Sequence, residues 1–316
     1  MMKRLFFKLF LAVLPVLVMA ACYLYADPFM VLRHYPDLYS AERPHLELNE
    51  DYATTETFLN ISEREVYDSY IFGSSRSRYY TPDQWALRLP GIQAYHFGVA
   101  SETLFGVAGK VALLHKNGKA IKNALIIADA ELLSKATNSA GHLFRKHPLV
   151  SGEGNADFQF TCFKDFFDPQ AISSYIKLPA KSPVGKKDPQ QVAEEEILKN
   201  RDAFYAPRLN MFYKRPATQQ YEKQMIFAEQ LQLLQNMKKV FDAQHTDYRI
   251  VLSPMYDQKK LNPKDMETLC TLFGKDRIYD FSGINDITQD LYNYFEIAHY
   301  RPAIAHRIMD SVYTRR

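Results

Sequence analysis

After residue 61 the apolar positions of this chain switch between two periods. Short strand-type runs stand at 66–72 (VYDSYIF), 92–97 (IQAYHF), 123–128 (NALIIA), 248–252 (YRIVL) and 277–281 (RIYDF). Between them lie stretches of helical period. In 101–116, Leu104, Val107, Ala108, Val111 and Leu114 recur every three or four residues, with Ser101 as a candidate cap. Further helices are expected at 219–245, 262–273 and 302–313. Thr81 before Pro82, and Asn262 before Pro263, pair a capping side chain with a proline at the first helical position. Strands that alternate with helices require crossover connections. The expected architecture is therefore α/β, three layers with a mostly parallel central sheet covered on both faces. The active site of such a sheet lies at the carboxyl ends of its strands.

Two regions depart from this pattern. At the N-terminus, Lys3, Arg4 and Lys8 precede an uncharged run that lasts to Tyr25. Residues 5–26 give roughly 22 positions, against about 20 needed to cross a bilayer as a helix. An uncleaved signal anchor at 1–30 is the leading expectation, with the basic end cytoplasmic and the rest of the chain outside. A lipoprotein remains open, because Met19-Ala20-Ala21-Cys22 loosely matches a lipobox, as does a cleaved signal peptide. Residues 31–61, polar and containing Pro36 and Pro44, read as a linker that wraps the domain. The domain itself runs over 62–316. Within it the pattern weakens at about 134–220, which reads as an insertion with a charged helix near 190–200. The insertion's Phe158, Phe160, Phe163, Phe166 and Phe167 suit either a core or the vicinity of a membrane or acyl chain.

Composition narrows the classes. Apolar residues make up 47% of the 316 positions, which excludes disorder. The 39 Lys and Arg nearly balance 36 Asp and Glu, so no basic excess points to nucleic acid. Three cysteines, Cys22, Cys162 and Cys270, are too few for a disulfide scaffold and form no C-x-x-C pair. An extracytoplasmic address permits a Cys162–Cys270 bridge, and two free thiols fit equally well. No metal or cofactor is implied.

Three segments follow strands, where a site belongs. Gly73-Ser74-Ser75-Arg76 makes a tight turn that exposes a hydroxyl beside backbone N–H groups. Gly98 ends the next strand, where its backbone can approach a substrate oxygen. Glu296-x-x-His299 places a carboxylate within reach of an imidazole, fixing its tautomer and freeing the other nitrogen to accept a proton. Each is also an ordinary turn or helix start when taken alone.

Together, in this order and spacing, the segments resemble the SGNH, or GDSL-type, hydrolase and acyltransferase superfamily. The likeness is greatest to its membrane-anchored branch, which includes proteins of envelope polysaccharide O-acetylation and teichoic-acid D-alanylation. The resemblance implies an SGNH- or flavodoxin-like fold over roughly 67–313. It implies Ser75 as nucleophile, His299 as base and Glu296 as its orienting carboxylate. Gly98 and Ser75 would supply backbone N–H groups to the oxyanion. It implies a serine esterase or O-acyltransferase acting on an envelope glycan or lipid, beside the bilayer and a membrane-bound acyltransferase partner.

The chain departs from that pattern in its third block. The family has Gly-x-Asn-Asp, whose Asn donates to the oxyanion. Here Ala128-Asp129-Ala130-Glu131 stands instead, and an ionised Asp129 cannot donate. Loss of one such donor costs on the order of 100- to 1,000-fold in rate. A non-catalytic scaffold or binding protein of the same fold is therefore the alternative. An unrelated phosphate binder, with Gly73-Ser74-Ser75-Arg76 around an anion, is a third reading that leaves His299 without a role. Arg76 and Asp129 are weaker candidates for substrate binding, against an internal salt bridge for the first and a helix cap for the second. His142 and His147, five apart, read as surface or lid. Arg145 and Lys146 between them would suit an anionic substrate at the site mouth. His96, His115 and His306 read as packing or surface.

Overall fold

The computed structural model describes residues 2–36, 38, 44–178 and 188–314. Parts of the expected wrap, at 37 and 39–43, and of the insertion, at 179–187, lie outside the described residues. The strands in chain order are β1 (Ser69–Gly73), β2 (Ala94–Gly98), β3 (Asn123–Ala128), β4 (Gln220–Tyr221), β5 (Asp247–Leu252), β6 (Lys259–Lys260), β7 (Ile278–Asp280), β8 (Tyr294–Glu296) and β9 (His299–Tyr300). Five of them form one sheet in the order β2-β1-β3-β5-β7, every pair parallel. The short β4 and β6 pair separately, and β8 and β9 form an antiparallel hairpin. The chain leaves β1 for β2 on one side and returns to β3 on the other. The carboxyl end of β1 thus lies at the point where a doubly wound sheet reverses and opens a crevice.

The helices begin with α1 (Met2–Ala26), α2 (Glu50–Ile61), α3 (Pro82–Ala86), α4 (Leu104–Lys116) and α5 (Ala130–Ser134). The insertion adds α6 (Pro148–Ser151), α7 (Asn155–Phe166), α8 (Pro169–Ile176), α9 (Pro189–Lys199) and α10 (Arg201–Tyr205). The last are α11 (Ala228–Ala243), α12 (Pro263–Phe273), α13 (Asp286–Gln289) and α14 (Pro302–Tyr313). Alternate strand residues feed two separate cores. Tyr70, Phe72, Ile126 and Ile250 join Val107 and Val111 of α4, Leu234 and Phe241 of α11, and Leu269 of α12. Ile71, Leu125, Ile127 and Val251 join Trp85 of α3 and Ile304, Ile308 and Met309 of α14. That double burial is why these strands read as continuous apolar runs.

Local chemistry moves several expected boundaries. The first strand begins at Ser69, and Val66 before it is exposed. Ser101 does not cap α4: it adopts a left-handed backbone (φ 53°), and Thr103 takes the N–H of Gly106 instead. The helix expected over 219–245 begins only at Ala228. Residues before it are held extended, by the β4–β6 pair and by Asp265, whose carboxylate accepts the N–H groups of Met225 and Ile226 at 2.9 and 3.0 Å. Thr81 and Asn262 cap α3 and α12 as their positions imply.

The stretch Arg4–Ala26 is long and apolar enough to cross a membrane, with mean hydropathy 2.5. The end of α1 packs against the insertion, where Tyr23, Ala26, Phe29 and Val31 meet Phe158, Cys162 and Phe166. Cys162 and Cys270 are both free thiols. In α2, Asn49 caps the start and Phe58 enters the sheet's core. Asp51 of α2 and Glu102 pair with Lys110 and Lys146 in a fully buried ionic cluster. Lys146 is therefore not a substrate cation at a site mouth, and Arg145 is likewise engaged, by Glu153 at 2.8 Å. His147 is buried and caps α6, while His142 pairs with Asp165 at 3.0 Å.

Candidate active site

The turn after β1 depends on a glycine. A Cβ on Gly73 would lie 2.7 Å from the Ser77 Cβ and 2.9 Å from the Ile127 carbonyl oxygen, so only glycine lets β1 run this close to both. The chain then enters a short 3-10 turn, Ser75–Ser77, capped by Ser74. Ser75 opens that turn at the crevice.

The hairpin β8–β9 delivers the partners. Ser75 Oγ lies 2.7 Å from His299 Nε2. His299 Nδ1 is hydrogen-bonded to Glu296 Oε1, and the other Glu296 oxygen accepts the Ala298 N–H at 2.7 Å. One carboxylate thus fixes both the imidazole and the loop between them. Burial pushes the Glu296 carboxyl up, but the hydrogen bonds from His299 and Ala298 and the nearby positive charge outweigh it. The net shift is downward, which keeps Glu296 ionised. An anionic Glu296 accepts a hydrogen bond from Nδ1–H and so leaves Nε2 as the acceptor for the serine hydroxyl.

The insertion buttresses this hairpin. Tyr205 of α10 donates its hydroxyl to the Tyr294 carbonyl at 2.7 Å. Arg301 makes a two-pronged pair with Glu194 of α9, at 2.8 and 2.9 Å. Phe295 packs with Ile197 and Phe204. Sequence reasoning missed these three supports, because the insertion carries no periodic signal that ties it to the C-terminal hairpin.

Gly98 sits opposite Gly73 in the β1–β2 register. It and Ser75 line one cavity of about 510 Å³, together with Glu50, Thr54, Arg78, Tyr95 and His96. His96 is therefore a cavity residue and not mere packing. Its Nε2 lies 2.8 Å from Ser77 Oγ, and burial, with help from the Arg78 charge, pushes its pKa down to about 4. The clue was its position two residues before Gly98, on the same face of the strand.

Arg76 and Asp129 come together, but on each other. Arg76 donates to Asp129 at 2.9 Å and to Glu131 at 3.4 Å, while its Nε donates to the Ala298 carbonyl at 3.3 Å. Asp129 also caps α5 by accepting the Leu132 N–H at 3.0 Å. Both sequence alternatives, the internal salt bridge and the cap, hold. Among the described residues no group of three or more His, Cys, Asp or Glu side chains is arranged to hold a metal ion.

No protein-family model matches this chain, and no curated protein matches it. A serine hydroxyl that lines the cavity, an imidazole and an ionised carboxylate stand in hydrogen-bonded series. Such a series can deprotonate the serine as it attacks a carbonyl carbon.

Proposed function

We propose that the protein is a membrane-anchored, extracytoplasmic serine esterase or O-acyltransferase of SGNH type, acting on acyl esters of a cell-envelope glycan or lipid. In this reading its fold is the three-layer α/β/α arrangement, and α1 is an uncleaved anchor with the basic end in the cytoplasm. The observation that carries the reading is the Ser75–His299–Glu296 series, with Ser75 Oγ 2.7 Å from His299 Nε2.

The chemistry follows from the roles. Ser75 Oγ attacks the acyl carbon as His299 takes its proton, and Glu296 balances the imidazolium. The backbone N–H groups of Gly98 and Ser75 stabilise the tetrahedral oxyanion. Collapse breaks the ester C–O bond, and His299 returns the proton to the departing alcohol. The acyl-serine is then released by water or by an acceptor hydroxyl, which His299 deprotonates in turn.

One observation favours a second reading, a catalytically inactive scaffold beside a membrane-bound acyltransferase. Asp129 stands where the family's oxyanion Asn would be, and it is committed to Arg76 and to the α5 cap. Labelling of the detergent-purified protein with a fluorophosphonate decides between them. The enzyme reading expects labelling that is lost in Ser75→Ala and in His299→Ala. A folded wild type that takes no label refutes it and leaves the scaffold.

A further inference from the structure

We infer that the face of α7 bearing Phe160, Phe163 and Phe167, with the end of α8 at Ile176, is seated in the interfacial layer of the bilayer beside α1. The occupant of this face is lipid. The inference rests on reading α1 as a membrane span and adds to it where the domain sits.

The first support is register. Tyr23 belongs to the apolar stretch of α1, and its ring meets Phe163 edge-on, with centroids 5.5 Å apart. Phe160, Phe163 and Phe167 are spaced three and four apart along one side of α7, and Phe163 is where that side meets α1. Phe158, Cys162 and Phe166 are buried among Ala26, Phe29 and Val31, which leaves Phe160 outside with 66% of its surface free. Ile176, at the end of α8, is 75% exposed, and Tyr175 beside it donates its hydroxyl to the Ala26 carbonyl at 3.1 Å. Leu24 and Tyr25, beside Tyr23 on α1, are exposed as well.

The second support is the absence of slack between anchor and domain. Asp27, the first residue after α1, is fully buried. Its carboxylate accepts the N–H groups of Val31 and Leu32 at 2.9 and 3.2 Å and the Tyr35 hydroxyl at 2.6 Å. Arg33 caps α1 by donating to the carbonyls of Leu24 and Tyr25, each at 3.0 Å. A helix so fastened at its end cannot hold the domain away from the membrane on a tether. Whatever packs on Tyr23 and Ala26 meets the interface.

The third support is composition. Interfacial helices bury Phe, Trp and Leu at the headgroup–acyl boundary, and nearby lysines extend their ammonium groups to the phosphates. Lys164 lies on the phenylalanine face of α7, and Lys177 follows Ile176; both are exposed. In water, Phe160 and Ile176 would stay exposed.

The test uses the full chain in phosphatidylcholine–phosphatidylglycerol vesicles, with and without brominated acyl chains, which quench nearby indoles. The single tryptophan, Trp85, is fully buried and gives a constant background. Variants Phe10→Trp in α1, Phe160→Trp, Ile176→Trp and Leu198→Trp, at an exposed position of α9, report four positions. Quenching is expected at 10, 160 and 176 and not at 198. Quenching at 10 without quenching at 160 and 176 overturns the seating alone. No quenching at 10 overturns the anchor itself, and quenching at 198 equal to that at 160 removes the preferred face.

Discussion

Arg76, one residue past the proposed nucleophile, donates its Nε to the carbonyl of Ala298, one residue before the proposed base. The Ala298 N–H in turn binds Glu296. Arg76 therefore couples the serine turn to the loop that aims the imidazole, braced from the far side by Asp129 and Glu131. A misplacement of about 1 Å in such a loop can cost on the order of 100-fold in rate. Arg76→Ala is expected to lower kcat on a chromogenic acyl ester by roughly that factor, with KM little changed. Arg76→Lys recovers little of it, because one ammonium cannot reach three acceptors in a fixed fork. If KM rises while kcat holds, Arg76 binds substrate and this coupling is wrong.

Much of this arrangement was legible in the chain. The strands showed because burial on both faces demands runs such as Leu125–Ile126–Ile127, and prolines with capping partners marked α3 and α12. Ser75, His299 and Glu296 were legible through the order and spacing of segments expected after strands, whereas the β8–β9 hairpin that carries the last two gave no sign in a stretch that reads as a loop before α14. Ser101 misled because Thr103, two residues on, also carries a capping hydroxyl. The start of α11 misled because Asp265, about 40 residues away in sequence, captures the N–H groups before it. The partners of Lys146 were invisible for the same reason: Asp51 and Glu102 reach it from remote segments. Long-range polar capture leaves no periodic trace.

Gly98 is predicted to tolerate no side chain. A Cβ there would stand 2.7 Å from His96 Nε2 and 2.8 Å from its Cε1. The ring would have to shift, and with it its bond to Ser77 in the serine turn. Gly98→Ala should reduce fluorophosphonate labelling and esterase rate by about 100-fold, the scale of one lost oxyanion donor. Unchanged labelling of a folded variant would show that the added methyl is accommodated without displacing the Gly98 backbone or the serine turn.

His96 makes stability depend on pH with a definite sign. Its folded pKa is near 4 because burial disfavours the cation, whereas an unfolded histidine titrates near 6.5. Between those values the unfolded chain binds more protons, so stability falls as pH drops from about 6.5 to about 4. The penalty is complete below the folded value and absent above the unfolded one. His96→Gln, which keeps a donor for Ser77, should flatten that part of the stability curve in chemical denaturation. A slope equal to that of wild type would mean that His96 is charged in the fold.

The buried cluster around Lys110 offers a test of what fastens α2 beside the site. Lys110 and both its partners, Asp51 and Glu102, are essentially free of solvent, and Lys146 completes two charges of each sign. Burial alone would raise the Asp51 carboxyl, but the two ammonium groups outweigh it and hold it below the usual carboxylate range. Removing one partner from such a set strands a charge in a low dielectric, at a cost of about 3–5 kcal/mol. Lys110→Met should therefore lower the midpoint of thermal unfolding by roughly 10 °C for a chain of this size. Adding Glu102→Gln removes one charge of each sign and should restore part of the loss, since the remaining Asp51–Lys146 pair is neutral overall. Because α2 carries Glu50 and Thr54 to the cavity wall, the single variant should also weaken esterase activity below its melting temperature. If Lys110→Met melts with the wild type, the charges do not hold α2 in place. If the double variant is worse than the single, the hydrogen bonds of Glu102 and not its charge balance matter most.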